Sequence, residues 1–331
     1  MRFAALAAWI GVRGSLAAEH ACSAEALLAG ASQLRSLDRD GFEPRCRGGG
    51  VLEGCEAIRG ADEERFKPVS MRKPSGHDLE SIRRQLDLER RTLAPEGCIL
   101  ETLPHVSRLR CPDRGQHMIV FSSLTEDIAD VTISEQAAHY RTLATEVEWK
   151  VYQHDSPSDL LQRLERHGFE AGLRETVLVL ELQKHAGWIE AQSAYQVIRI
   201  EDAHKVGLYR RAAEDIFERD HESTATELLS GIRRCSTQHL GYVVTEGNTA
   251  VGIGRLYSHP QSPFGGMYGG GTLKQYRGRG VYRATVAARA REAIKFGARY
   301  LLVDALPTSR PILEKLGFVR LTDTWPCTLK P

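Results

Sequence analysis

One short segment, Thr272–Tyr282 (TLKQYRGRGVY), constrains the fold of this 331-residue chain more than any other. It lies between a glycine-rich strand predicted at 266–273 and a helix predicted at 281–296. Glycines at a strand–helix junction let the backbone turn tightly and direct several N–H groups to one point, where the partial positive charge of the helix N-terminus adds to them. The segment therefore predicts a binding site for a pyrophosphate group.

The charge around this segment supports the same interpretation. Residues 274–299 contain eight basic side chains and a single acid, Glu292, whereas the whole chain has a net charge of +1. Because so balanced a chain has no general field for nucleic acid or acidic membranes, we expect neither as a partner. The longest apolar run, Phe3–Val12, has 10 residues, about half of what spans a bilayer.

Other glycine-rich phosphate loops have a different spacing. A dinucleotide-binding fold requires G-x-G-x-x-G after its first strand, and a Walker loop requires G-x-x-x-x-G-K-[ST]; this segment has neither. An Arg-Gly segment that binds nucleic acid is normally repeated, but this one occurs once, within a periodic region. An ordinary turn on a basic surface remains the alternative.

The hydrophobic pattern predicts an α/β fold around a mixed sheet. After a polar linker at 183–194, the element order is β-α-α-β-β-β-α-β-α-β, with strands at 195–200, 241–245, 250–259, 266–273, 300–304 and 318–322 and helices at 203–219, 224–235, 281–296 and 309–316. Before the linker we predict strands at 118–124, 147–152 and 175–182 and helices at 129–144 and 159–166.

A weak internal repeat links the two halves. A strand, an Asp, a short helix, a Gly-Phe pair and a strand occur twice, with Asp155 and Gly168-Phe169 matched by Asp304 and Gly317-Phe318 at an offset of 149 residues. Repeats of this size indicate duplicated units. Two common strand–helix corners at the same spacing by coincidence are the alternative.

The phosphate segment resembles the hallmark of the GNAT superfamily of acyl-CoA-dependent N-acyltransferases, Q/R-x-x-G-x-G/A. The segment Arg277-Gly278-Arg279-Gly280-Val281-Tyr282 matches it in the usual position before the helix, except that Tyr282 stands where Gly or Ala is expected. An alternative register, Gln275–Gly280, fits every letter but lies two residues early. The resemblance covers 195–331 and includes the closing LEKLGF at 313–318.

This resemblance implies a GNAT-like mixed central sheet flanked by helices, in two tandem GNAT-like units of which the first is degenerate because it lacks the phosphate loop. It implies that the fourth and fifth strands separate near Thr272 and Asp304 to admit the pantetheine arm of coenzyme A. The residues that it places at the coenzyme are Gly271, Thr272, Arg277, Gly278, Arg279, Gly280, Val281, Tyr282 and Ser309. For Ser309, which opens the last helix, plain N-capping is the alternative.

The acid and base groups that the family often uses are not found at their usual positions. The fourth strand has no acid between 266 and 271, and Leu313 occupies the position of the usual Tyr, four residues before Gly317. Tyr268 and His259 are the substitutes within plausible reach, and surface or packing roles are the alternatives for both. The neighbouring pair His154-Asp155 is expected to cap a strand–helix corner rather than to act in catalysis.

We therefore predict three segments: an extension at 1–70 of uncertain order, a degenerate GNAT-like half at 71–185 and a GNAT N-acetyltransferase domain at 186–331. Met71 is a possible second start. The expected activity is transfer of an acetyl group from acetyl-CoA, as co-substrate and without a metal, to a primary amine of a small molecule or peptide. The alternative is a non-catalytic acyl-CoA-binding or interaction protein.

The seven cysteines are scattered and form no C-x-x-C pair, so neither a disulfide framework nor a zinc ribbon is expected. A reducing compartment, the cytoplasm, is the default expectation. The N-terminus, with Arg2, the apolar run and the small residues Leu16-Ala17-Ala18, has the outline of a secretory signal without a clean cleavage site, and export is the alternative.

Overall fold

A mixed twelve-stranded sheet forms the centre of residues 79–331, which are the part of the chain that the computed structural model describes. The strands are β1 (Ile99–Thr102), β2 (Val106–Cys111), β3 (Gln116–Ser122), β4 (Val147–Tyr152), β5 (Glu170–Ala171), β6 (Glu175–Glu181), β7 (Val197–Arg199), β8 (His239–Glu246), β9 (Thr249–Ser258), β10 (Phe264–Thr272), β11 (Tyr300–Ala305) and β12 (Val319–Leu329). The helices are α1 (Leu79–Thr92), α2 (Glu126–Thr142), α3 (Leu160–Arg166), α4 (Ala186–Ile189), α5 (Ala203–Phe217), α6 (Glu222–Arg233), α7 (Val281–Lys295) and α8 (Arg310–Lys315).

The strand order shows two related halves that share one sheet. The order is β1-β2-β3-β4-β12-β6-β11-β10-β9-β8-β7, with β5 paired to β12. The series β3-α2-β4-α3-β6 recurs as β10-α7-β11-α8-β12, and within each series the first two strands are parallel. The last strand of each half pairs with the other half, β12 with β4 and β6 with β11. The predicted GNAT-like mixed sheet flanked by helices is therefore confirmed.

The internal repeat holds for the glycines but not for the acids. Gly168 and Gly317 each follow a short helix with φ of +92° and +99°, a conformation that favours glycine. Asp304 lies within β11, whereas Asp155 lies three residues after the end of β4, so the predicted match of the two Asp residues is wrong. The connection from β4 to α3 is longer than that from β11 to α8, and the equal offset is a coincidence.

Helices cover both faces of the sheet. On one face, α7 and α8 pack on Leu301 and Val303 of β11, and α2 and α3 pack on Trp149 of β4. On the opposite face, here called the α1 face, α1 packs against Leu302 while α5 and α6 pack against Ile253. Alternation along β11 accounts for this division, because successive side chains of a strand point to opposite faces.

Several features of residues 79–331 were not predicted. Helix α1 and strands β1 and β2 are absent from the predicted elements, and the expected linker at 183–194 holds most of a 3₁₀ turn (Leu182–His185) and α4. The predicted strand at 318–322 extends to Leu329, because it pairs with both β4 and β6. The division at 185 and 186 stays a prediction, and the extension at 1–70 and Met71 lie outside the described residues.

One expectation about the cysteines is wrong. Cys98 and Cys111 form a disulfide, and they flank the first residue pair of the antiparallel strands β1 and β2, Ile99 with Arg110. A cross-strand pair 13 residues apart forms no C-x-x-C pattern and is visible only once the hairpin register is known. The cysteine argument for a reducing compartment loses its support. Within 79–331, no helix has the length and apolarity needed to cross a membrane.

Candidate active site

The predicted phosphate loop is an exposed turn that leads directly into α7. A 3₁₀ turn (Lys274–Tyr276) follows β10, and α7 begins at Val281. Gly278 and Gly280 have φ of +77° and +88°, where other residues would be strained. A Cβ added to either glycine would meet no heavy atom within 4 Å, so the backbone here faces open space.

Basic side chains surround this turn without ion pairs to acids in 79–331. Lys274, Arg277 and Arg279 are exposed. Arg277 Nε donates to the carbonyl oxygen of Thr272 at 3.2 Å, and the Arg279 guanidinium carbon lies 5.4 Å from the centre of the Tyr276 ring. A loop with accessible N–H groups, a helix N-terminus and cationic side chains fits a pyrophosphate group.

Glycines of β9 and β10 let α7 approach the sheet closely. A Cβ at Gly252 would lie 2.4 Å from Val281 Cγ1, and one at Gly270 would lie 3.1 Å from Tyr282 Cε2. Tyr282 therefore fits although the family motif has Gly or Ala at its position, because the missing side chain of Gly270 supplies the space.

The two strands beside the loop separate where the cofactor arm was expected. Parallel pairing of β10 with β11 is limited to three residue pairs, from Phe264 with Tyr300 to Gly266 with Leu302. β10 continues to Thr272 and β11 to Ala305. Thr272 and Asp304 thus lie on the separated parts of the strands. The gap leads away from the phosphate loop, as a site for an extended thioester arm requires.

A β-bulge in β10 lies beside this gap. The register with β9 shifts between Tyr268, which pairs with Arg255, and Gly271, which pairs with Ile253. Gly269, inside the bulge, has φ of +48°, and both Gly269 and Gly270 are partly exposed. Main-chain groups of the bulge are therefore available to a ligand in the gap.

The structure brings one of the two predicted acid or base residues to the bulge. Tyr268 immediately precedes it, is buried on the α1 face, and has its ring centre 5.9 Å from the guanidinium carbon of Arg255. His259 follows β9 at the other end of the strands, next to the pair of Ser258 with Gly265. At about 3.3 Å per residue, it lies five residues along the strands from Gly269, about 16 Å away.

His259 and Ser309 form hydrogen bonds with residues close in sequence, and Leu313 packs in the core. His259 Nδ1 accepts a hydrogen bond from the backbone N–H of Gln261 at 3.2 Å, and burial lowers the pKa of this histidine. Ser309 Oγ donates to the carbonyl oxygen of Leu306 at 3.2 Å and makes no capping bond to α8. Leu313 is completely buried in the core beneath α8, as expected for a packing residue.

In the first half the equivalent gap is filled by a side chain of α1. β3 and β4 pair over two residues, the last pair being Ile119 with Trp149. Arg90 is completely buried, its Nε donates to the carbonyl oxygen of Val120 at 2.9 Å, and its guanidinium carbon lies 3.8 Å from the centre of the Tyr152 ring. This half thus has neither a phosphate loop nor an open gap.

The pair His154-Asp155 belongs to this arginine site. Asp155 accepts two hydrogen bonds from Arg90 and one from the N–H of Tyr152 at 2.9 Å, which supports the corner after β4. His154 Nε2 lies 2.9 Å from Asp87, which also accepts from Arg90. Asp87, His154 and Asp155 are close enough to hold a metal ion, but the arginine already bonds both carboxylates.

Two buried charge clusters were missed by the sequence analysis, since their members come from separate strands and helices. Lys150 Nζ lies 2.9 Å from Glu175 and 3.0 Å from Asp304, and burial, with Glu175 nearby, raises the pKa of Asp304 to about 6. In the second cluster, Glu227 of α6 accepts a hydrogen bond from Arg255 and lies within ion-pair distance of Arg114 and His239, side chains that come from both halves.

The Glu227 cluster lies on the α1 face of the sheet, where its member Arg255 pairs with Tyr268, the residue that precedes the bulge. His239 Nδ1 is 2.8 Å and Arg255 Nη1 is 3.1 Å from its carboxylate oxygens. Burial opposes ionisation of Glu227, but His239, Arg255 and Arg114 lower its pKa to about 2. Burial lowers the pKa of His239, so this histidine is neutral at pH 7.

Comparison with known proteins agrees with this geometry. The profile of the Acetyltransferase (GNAT) family matches residues 206–318. A GCN5-related N-acetyltransferase from Kribbella flavida is similar over 71% of this chain and 90% of its own, with 13% identity and a TM-score of 0.55. A functionally unknown conserved protein from Staphylococcus epidermidis ATCC 12228 is similar over 70% and 92%, with 12% identity and a TM-score of 0.53.

A tandem GNAT protein from the clavulanic acid biosynthesis pathway has a TM-score of 0.48 at 12% identity, over 78% of this chain and 89% of its own. No curated protein matches the sequence. The family profile spans the loop, the bulge and the separated strands. The proteins from Kribbella flavida and Staphylococcus epidermidis, with TM-scores above 0.5, share the fold described above. Residues 206–318, about a third of the chain, are thus similar to the Acetyltransferase (GNAT) family.

Proposed function

We propose that this protein is an N-acetyltransferase that transfers an acetyl group from acetyl-CoA to a primary amine of a small molecule or peptide. The observation that carries the proposal is the position of the glycine–arginine loop at the mouth of the gap between β10 and β11. An anion-binding loop next to an opened pair of strands fits a pyrophosphate followed by a long, uncharged arm.

The donor is held by main chain and by cations of the loop. The N–H groups of Arg277 to Tyr282 converge on the pyrophosphate at the N-terminus of α7. Arg277 and Arg279 add charge, while Val281 is buried and anchors the helix end. Gly271 and Thr272 offer main-chain groups of β10 to the arm along the gap. Ser309 remains a weaker candidate contact.

The transfer step requires a neutral amine and a polarised thioester. The amine nitrogen attacks the carbonyl carbon, and the new C–N bond forms as the C–S bond breaks. The nitrogen loses one proton to give the amide, and the thiolate takes up one proton to give the free thiol. N–H groups of the bulge at Gly269 and Gly270 are suited to bind the carbonyl oxygen as its negative charge develops. We assign the proton exchange to Tyr268, with water as the carrier. His259 is retained as the alternative.

A second candidate function has its own supporting observation. Within 79–331, β10 carries no acidic side chain, and the buried Leu313 replaces the usual Tyr. A protein that binds acyl-CoA without turnover would have this combination of an intact loop and absent acid and base groups.

One experiment distinguishes the acetyltransferase from the acyl-CoA-binding protein. The full chain is incubated with acetyl-CoA and a panel of primary amines, and free thiol is measured together with the mass of the amine product. We expect thiol release that depends on an amine. Thermal stabilisation by acetyl-CoA without turnover on a broad panel supports the binding protein instead. Absence of both effects overturns both functions.

A further inference from the structure

We infer that the amine acceptor carries a carboxylate, which binds on the α1 face beside the β10 bulge to the guanidinium groups of Arg255 and Arg219. This inference rests on the proposed acetyl transfer and specifies its substrate class. It comes from a concentration of positive charge and of unpartnered nitrogen atoms, buried next to the place where the amine must attack.

Arg255 is the centre of this site. Only 3% of this residue is exposed, and its Nη1 bonds Glu227 while its Nε has no hydrogen-bond partner. The Nε and Nη2 atoms lie 3.4 and 3.5 Å from the position of a Cβ on Gly269. The guanidinium group therefore lies next to the left-handed residue of the bulge, beside the hydroxyl of Tyr209, which is 3.0 Å from the same position. Its Nε–H has no hydrogen-bond partner.

The positive charges around Arg255 exceed the negative charge of the protein side chains next to them. Arg114 and Arg255 share the single carboxylate of Glu227, and Arg219 makes no ion pair within 79–331. Burial and the neighbouring Arg255 lower the pKa of Arg219, as expected where a cation lacks a counter-ion. His221 and His239 have lowered pKa values and are neutral at pH 7, so they add no charge of either sign.

Buried nitrogen atoms without partners accompany the excess charge. Arg114 Nη1, His221 Nε2, His239 Nε2 and Arg255 Nε all lack a hydrogen bond. Leaving buried polar atoms unsatisfied is costly, and more so when they are charged. A ligand carboxylate would satisfy the guanidinium groups nearest the bulge and would offset the positive charge.

A ligand can reach this place from the gap. Gly269 and Gly270 are partly exposed, and so is Arg219 on the connection from α5 to α6. The end of α5 borders the bulge, because a Cβ on Gly271 would lie 2.6 Å from Ile216 and 3.3 Å from Phe217. Arg219 is two residues beyond Phe217 and its guanidinium carbon lies 5.8 Å from that ring. Arg219 and Arg255 thus lie next to the bulge on the α1 face, where we place the acceptor.

The test compares amines that carry a carboxylate with amines that carry a neutral amide instead, with each rate constant corrected for the fraction of neutral amine. Amino acids and their matching primary amides are assayed with acetyl-CoA, and kcat/KM is measured for each. We expect a preference of about tenfold or more for the carboxylate, since hydrogen bonds to charged groups contribute about 1.5–3 kcal/mol. In Arg219→Gln this ratio should fall at least about fivefold. Arg211→Gln, an exposed arginine on α5, is the matched control and should leave it unchanged.

Arg255→Lys is the second variant, and its thermal midpoint shows whether it folds. Loss of the carboxylate preference in a folded Arg255→Lys protein supports the site. Equal or better use of the amides by the wild type overturns the inference while leaving acetyl transfer intact. If no amine is acetylated, the proposed function itself fails.

A further set of assays varies the acyl donor and shows whether the carboxylate belongs to the acceptor or to the acyl group. Succinyl-CoA and acetyl-CoA are compared with one neutral amine. A preference for acetyl-CoA that Arg219→Gln does not alter supports the assignment to the acceptor. A preference for succinyl-CoA that Arg219→Gln removes would place the carboxylate on the acyl group and would overturn that assignment.

Discussion

Arg90 and Asp155 form a two-bond ion pair, with Nη1 2.9 Å from Oδ1 and Nη2 2.8 Å from Oδ2. The pair links α1 to the corner after β4 and closes the gap between β3 and β4. In the second half, β10 and β11 also separate, Gly269 and Gly270 are partly exposed at the gap, and the gap lies beside the glycine–arginine loop. The two halves thus differ in two ways: the first half lacks the loop, and the side chain of Arg90 lies in its gap.

Replacing Arg90 by Met should strongly destabilise the protein. The substitution leaves the carboxylate of Asp155, whose side chain is 4% exposed, buried without its cation. Breaking one side of a buried ion pair costs about 3–5 kcal/mol. The free energy of unfolding is measured in urea, with Arg84→Met as the control, since that side chain is 71% exposed. A loss below 1 kcal/mol for Arg90→Met would contradict the structural role.

Acetyl-CoA should bind to one site per chain. Only the second half combines the loop with an open gap, and Arg90 occupies the other gap. Isothermal titration of the full chain measures the stoichiometry directly. A value near two sites would show that the first half binds the coenzyme despite its missing loop.

Replacing Gly280 by Glu should weaken acetyl-CoA binding at least about tenfold. The new carboxylate would stand at the pyrophosphate site, and the left-handed backbone would cost about 1–2 kcal/mol. Gly247→Glu is the matched control, because Gly247 has φ of +59° in a hairpin turn and is equally open. Titration with acetyl-CoA should separate the variants. Equal affinities would reject the loop assignment.

The predictable parts of this structure are local in sequence. The loop at 277–280, the boundary of α7 at Gly297 and the strand β4 follow from glycine chemistry and from hydrophobic alternation over a few residues. The candidate coenzyme contacts depend on these local patterns, together with a family resemblance. They could therefore be named before the fold was known.

The parts that were missed depend on pairing between distant segments. The disulfide of Cys98 with Cys111 depends on hairpin register, and the Glu227 cluster joins α6 to β8, β9 and the turn at Arg114. Helix α1 was not predicted although Leu79, Ile82 and Leu86 have helical spacing and pack on the sheet. The burial of Arg90 in this helix could not be predicted, because it depends on ion pairs with Asp87 and Asp155 and on the Tyr152 ring. No residue pattern along the chain indicates which acid lies opposite such a cation.

Gly252→Ala should lower both stability and acetyl-CoA affinity. The added Cβ would lie 2.4 Å from Val281 Cγ1, so the first residue of α7 must move away from β9. Overpacking of this kind costs about 1–3 kcal/mol. Urea unfolding and acetyl-CoA titration measure the two effects. Gly187→Ala, where an added Cβ meets nothing within 4 Å, is the control; equal behaviour of both variants would refute close packing at Val281.

Glu227 should make stability depend on acid pH. Its pKa is lowered from 4.5 to about 2 in the folded protein, so the ionised form stabilises the fold above pH 4.5. That contribution is lost as the pH falls from about 4.5 to about 2, because the unfolded chain takes up the proton first. A shift of this size corresponds to about 3 kcal/mol.

Glu227→Gln removes this carboxylate while keeping its shape. We expect the variant to be less stable than the wild type by about 3 kcal/mol at pH 7, and the difference to shrink as the pH approaches 2. Urea unfolding at a series of pH values measures both proteins, with the exposed Glu190→Gln as the control. A difference that stays constant across this range would mean that Arg114, Arg255 and His239 do not hold Glu227 ionised, and that the positive charge of the two arginines is balanced in another way.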